Sequence, residues 1–89
     1  MRLYHVTSEK LAKKYRESGC IHKPVRGFTT LQGAMAWAIK VGRPIIYVVE
    51  GETAYKLPDH HNKWGEAWWI DNDIDLENVK CAFSAVKDA

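Results

Sequence analysis

The chain lacks the features that usually give a function away. Its two cysteines, Cys20 and Cys81, stand far apart with no CxxC spacing. Two cysteines exclude a disulfide framework and suit a reduced cytosolic protein, with one long-range disulfide left open. No run of 18 apolar residues occurs, so no transmembrane helix and no membrane partner are expected. The N-terminus has no apolar stretch of the signal-peptide kind, so a cytoplasmic location is expected. Repeats, low-complexity stretches and linkers are missing too, and a single compact domain over residues 1–89 is expected. There is no GxGxxG, P-loop, HExxH or GxSxG, which removes the common nucleotide, zinc-protease and hydrolase signatures. A net charge of +2 without a dense basic stripe argues neither for nor against a nucleic-acid partner.

What is present is a core-forming composition, with 46% hydrophobic residues. A domain this small is marginally stable, so few residues are free to do anything but pack. Four Trp is a high number here, and Trp64, Trp68 and Trp69 fall in one short segment.

Residues 2 to 6 read as a strand, followed by a helix that Thr7 or Ser8 can cap, with Glu9 where the helix dipole favours an acid. Leu11, Ala12 and Tyr15 form its apolar stripe, and Gly19 is a plausible stop. "IHKPVRG" reads as a loop around Pro24. "GFTT" reads as a short strand or strand-to-helix turn leading into the helix "LQGAMAWAIKV", capped by Thr29 or Thr30 and stopped by Gly42. Leu31, Ala34, Met35 and Ala38 line one side of it, and Trp37 lies on the shoulder of that stripe.

"PIIYVVE" has the continuous β-branched character of a central strand. "ETAYKL" and "GEAWWI" read as strands separated by the polar loop "PDHHNKW", with Glu66, Trp68 and Ile70 on one face. "DNDIDLEN" is a turn with room for a single helical turn, and "VKCAFSAV" a last strand with Val79, Cys81, Phe83 and Ala85 inward. The order β-α-β-α-β-β-β-β predicts an α+β fold, with a mostly antiparallel sheet of about six strands and two helices in the N-terminal half.

Three features stand apart from packing. His5 and Thr7 share one face of the first strand. "RGFTT" precedes a helix that carries Trp37. Glu66 follows a polar loop and sits among Trp residues, where a partly buried unpaired acid would be costly.

In this order the residues resemble a minimal ADP-ribosyltransferase domain. "YHVTS" is similar to that family's first-strand His with a hydroxyl residue two positions on. "RGFTTLQGAMAW" resembles its strand and helix aromatics, at Phe28 and Trp37. "HHNKWGEAWWI" resembles its late-strand Glu, at Glu66. The likeness spans roughly residues 2 to 86. Its spacing is most like the short transferases that include DNA-modifying toxins and the RNA 2′-phosphotransferase relatives.

The resemblance implies NAD as cofactor and transfer of ADP-ribose to a macromolecular target, protein or nucleic acid. The chemistry suits the residues. Cleaving the nicotinamide–ribose bond passes through an oxocarbenium-like cation, which a carboxylate stabilises, so Glu66 is the expected catalytic group. His5 and Thr7 would meet the cofactor, with Phe28 and Trp37 offering aromatic faces to nicotinamide. Arg26 could meet a phosphate. His60, His61 and Lys63 would face the substrate. With Asp59 the two His residues are also of metal-ligand type, but adjacent loop residues point apart. Two other readings stay open: a transferase-like module without turnover that binds a protein, nucleotide or nucleic acid, and a small regulatory protein whose Trp cluster is an interaction patch.

Overall fold

Ser8 accepts a hydrogen bond from the Leu11 amide at 3.2 Å and starts helix α1 (Glu9–Ser18). Thr30 does the same for Gly33 at 3.0 Å and starts α2 (Leu31–Val41). Gly19 and Gly42 end the two helices at φ of 80° and 69°, the left-handed conformation that costs glycine nothing. These are features of a computed structural model that describes residues 1–86.

The strands are β1 (Arg2–Thr7), β2 (Cys20–Ile21), β3 (Val25–Phe28), β4 (Ile45–Glu50), β5 (Ala54–Lys56), β6 (Ala67–Ile70), β7 (Ile74–Asp75) and β8 (Lys80–Ser84). Six of them form a mostly antiparallel sheet in the order β5-β6-β3-β1-β4-β8, while β2 and β7 pair separately. The fold is therefore α+β, with both helices in the first half of the chain.

Each sheet face has its own core. Leu3, Val25, Val49 and Ile70 pack with Ile21 and Ile74 of the small sheet and with Tyr15 of α1. On the other face Val6, Phe28, Ile46 and Ala67 pack against Ala34 and Ala38 of α2. Strand alternation explains the division, because neighbours such as Ile45 and Ile46 point to opposite sides. That is why "PIIYVVE" carries no polar residue in its middle: both of its faces are covered.

β1 and β4 are tied by six successive pairs, from Arg2–Glu50 to Thr7–Ile45. β1 and β3 are joined at one pair only, Tyr4 with Phe28. Gly27 lies at this join, where a Cβ would come within 2.9 Å of both Leu3 Cβ and the Tyr4 carbonyl oxygen. A side chain there would force the two strands apart.

Three local expectations give way. The segment read as a loop around Pro24 contains the second residue of β2 and most of β3, because Val25 is fully buried opposite Ile70. "DNDIDLEN" supplies the strand β7 in addition to the single helical turn expected there, a 3-10 turn at Leu76–Asn78. Cys81 and Ala85 are exposed rather than inward, and Phe83 is 37% exposed. β8 is an edge strand whose register shifts opposite Ile46 and Tyr47, and a one-residue shift exchanges the two faces of a strand. Among the described residues no helix is long and apolar enough to cross a membrane.

Candidate functional site

A cleft of about 800 Å³ opens on the α2 side of the large sheet. That volume lies within the usual range for small-molecule sites. Phe28 and Ala67 form its floor, and Trp37, Lys40 and Val41 of α2 form one wall. Residues 57–64 form the other wall, and His5 reaches it at the join between β1 and β3.

The 57–64 wall is exposed, yet it is fastened to α2 at several points. Asn62 donates from Nδ2 to the Gly33 carbonyl at 3.0 Å. Its Oδ1 accepts from the amides of Trp64 and Gly65, at 2.9 and 3.1 Å. Thr30 donates its hydroxyl to the Trp64 carbonyl at 2.7 Å, so one residue both caps α2 and holds the wall. Asn62 was not singled out from the sequence. The tight turn it nucleates, bridging back to Gly65, is the only local signal it gives.

Two tryptophans stand on the opposing walls. Trp37 is 36% exposed and rests against Phe28, with ring centres 6.3 Å apart. Trp64 is 53% exposed. Each has a cation near its ring: the Lys40 ammonium lies 5.8 Å from the centre of Trp37, and that of Lys63 lies 4.7 Å from Trp64. Arg26 and Arg43 also line the cleft, against one acid among the described residues, Asp59. The molecule as a whole is almost neutral, so this lining is strongly biased toward positive charge.

His5 is half-buried and fully engaged. Its Nδ1 lies 2.6 Å from the Arg26 carbonyl, which can only accept, so the ring proton sits on Nδ1. Nε2 then accepts from the Tyr15 hydroxyl at 3.1 Å. Thr7 in turn donates to the Tyr15 oxygen at 3.5 Å. The chain of hydrogen bonds runs from Thr7 through Tyr15 and His5 to the backbone of β3. Burial, opposed by the Arg26 carbonyl and assisted by the Arg43 charge, lowers the His5 pKa below its ordinary value. The ring is therefore neutral at pH 7.

Of the residues proposed from the sequence, His5, Phe28, Trp37, His60, His61 and Lys63 line this one cleft, as does Arg26. Thr7 does not line it and is fully buried, its hydroxyl turned to Tyr15. Glu66 does not line it either. Ala67 faces the cleft, and successive residues project to opposite sides, so Glu66 turns away with Trp68. Its carboxylate lies 2.7 Å from the Lys56 ammonium and accepts from the Trp68 indole at 3.3 Å. The hydrogen bond from Lys56, aided by that from Trp68, holds its pKa below the ordinary carboxylate value. The expected meeting of His5, Trp37 and Glu66 in one cleft thus has two of its three members.

The arrangement can stack flat rings on Trp37 and Trp64 and neutralise anionic groups with four cations. Among the described residues it offers no carboxylate to a developing positive charge except Asp59. No protein-family model matches this chain, and neither does a curated protein or a solved structure.

Proposed function

We propose that the cleft binds a nucleotide of the NAD type, and that the protein is an ADP-ribosyltransferase-like binding module without turnover. The single observation that carries this reading is the pairing of two exposed tryptophans on facing walls with Arg26, Lys40, Arg43 and Lys63 around an apolar floor. A dinucleotide has two flat heterocycles joined by a diphosphate. Aromatic faces suit the first and guanidinium or ammonium groups the second.

The placement of Glu66 favours binding over catalysis. A carboxylate stabilises a ribosyl cation only when aimed at the site where charge develops. Glu66 lies outside the cleft and is already paired with Lys56. The loop residues His60, His61 and Lys63 belong to the cleft wall in this reading and touch the nucleotide rather than a docked macromolecule.

The test is a titration of the protein with NAD, followed by Trp fluorescence and by assay for free nicotinamide. Saturable quenching without nicotinamide release is the expected result. No fluorescence response at millimolar NAD would overturn the binding reading. Saturable quenching with steady nicotinamide release would restore the catalytic one.

A further inference from the structure

Outside the cleft, at the small sheet, Cys20, His22 and Asp73 bring a thiol, an imidazole and a carboxylate together, with one ligand atom from each within 4.8 Å of the others. We infer that these three residues form a binding site for a borderline-soft divalent ion such as Zn²⁺, through Cys20 Sγ, His22 Nδ1 and Asp73 Oδ2.

The local sequence builds this cluster. Cys20 and His22 are two residues apart on an extended segment, so they project to the same side, while Ile21 between them is buried in the core. Antiparallel pairing sets Ile21 opposite Ile74. The next residues along, His22 and Asp73, therefore face each other. Residues about fifty positions apart in the chain are brought together by a pairing that two buried isoleucines hold in register.

Two of the three edges are close to those of a tetrahedral shell. Usual zinc–sulfur, zinc–nitrogen and zinc–oxygen bonds place neighbouring ligand atoms about 3.4–3.6 Å apart. Cys20 Sγ lies 3.5 Å from His22 Nδ1, and His22 Nδ1 lies 3.7 Å from Asp73 Oδ2. The remaining edge, from sulfur to carboxylate, closes by rotation of surface side chains. An ion pair between His22 and Asp73 would account for those two residues but not for a thiol that lies 3.5 and 3.7 Å from the two nitrogens of the same ring.

The carboxylate is also oriented from behind. Asp73 Oδ1 accepts from the Lys23 amide at 2.8 Å, which leaves Oδ2 turned toward His22. Such outer hydrogen bonds fix a metal ligand's direction.

A thiolate and an imidazole select against Mg²⁺ and Ca²⁺, which take oxygen ligands. Three protein ligands leave a fourth position for water or for a group from a partner. None of the three residues lines the nucleotide cleft, so this site stands or falls separately from it.

The test is a titration of the full chain with Co²⁺ as a spectroscopic probe, followed by displacement with Zn²⁺. The expected result is one equivalent bound, with tetrahedral d–d bands and a thiolate-to-cobalt charge-transfer band. Cys20→Ser should abolish that band. Asp73→Asn and His22→Asn should each weaken affinity by roughly tenfold or more. Cys81→Ser should change nothing. Circular dichroism and melting of the metal-free variants establish that the surface changes leave the fold intact. A spectrum without a thiolate band would overturn the assignment. So would binding that survives Cys20→Ser and disappears when His60 and His61 are both changed to Asn.

Discussion

The imidazole of His5 spans two elements, with Nδ1 2.6 Å from the Arg26 carbonyl of β3 and Nε2 3.1 Å from the Tyr15 hydroxyl of α1. A half-buried ring with both nitrogens satisfied has little left to offer a ribose hydroxyl. It is first a structural tie. Replacing Tyr15 by Phe leaves His5 Nε2 and the Thr7 hydroxyl without their partner, and an orphaned buried group costs about 1–3 kcal/mol. Chemical denaturation of Tyr15→Phe should show a loss of that size, with little change in NAD affinity. An unchanged midpoint would remove the tie.

The same residue sets a pH dependence. The folded state lowers the pKa of His5 from its ordinary 6.5, chiefly by burial and then by the charge of Arg43. Above that ordinary value the ring is neutral in both states and stability is at its plateau. As pH falls below 6.5 the unfolded chain takes up the proton first, so stability declines until the folded pKa is reached. The slope for one proton is at most about 1.4 kcal/mol per pH unit. Urea midpoints measured across this window should fall for the wild type and flatten in His5→Gln. Parallel curves for the two proteins would contradict the assignment.

Trp37 and Trp64 should carry the stacking energy of the cleft. Base–aromatic stacking is worth about 1–3 kcal/mol, so either Ala variant should bind NAD roughly 5- to 150-fold more weakly. Trp64 is 53% exposed, so its removal should leave the melting curve in place while calorimetric affinity drops. Wild-type affinity in Trp64→Ala would take the second wall out of the site.

Glu66→Gln should be silent in both stability and NAD binding. Its carboxylate is exposed and paired with Lys56 outside the cleft, and exposed ion pairs contribute little. Superimposable melting curves and titrations are expected. A lost affinity would mean that the carboxylate reaches the ligand after all.

Asn62→Ala should loosen the loop wall. It removes three hydrogen bonds, to Gly33, Trp64 and Gly65, at a combined cost of about 1–3 kcal/mol. Hydrogen exchange at the Trp64 and Gly65 amides should accelerate, and NAD affinity should fall with it. Protection equal to wild type would show that Thr30 alone is enough to hold the wall.

The elements marked by local chemistry could be read in advance. Ser8, Thr30, Gly19 and Gly42 bound the helices through hydrogen bonds and backbone conformations that a few neighbouring residues decide. β4 announced itself through unbroken apolar β-branched character. What escaped depends on pairing at a distance. β3 was legible at its end, in "GFTT", but its first residues read as a loop around Pro24, and only the burial of Val25 against Ile70 extends the strand back to them. The alternation that groups Glu66 with Trp68 was legible, but not which side of β6 the cleft would occupy. Cys20 and His22 gained a partner in Asp73 only through the union of β2 with β7.

The join between β1 and β3 has a mechanical consequence. Elsewhere the large sheet is riveted by ladders of three to six residue pairs. Here one pair, one imidazole and the packing of α2 over Val6 and Phe28 bear the load. The sheet is in effect two three-stranded blades, β5-β6-β3 and β1-β4-β8, with a compliant line between them. The cleft straddles that line, with His5 on one blade and Arg26 and Phe28 on the other. Both cores cross that line, with Leu3 clustered with Val25 and Ile70 on one face and Val6 with Phe28 and Ala67 on the other, so any spreading that widens the cleft mouth works against buried apolar contacts as well as the His5 bond.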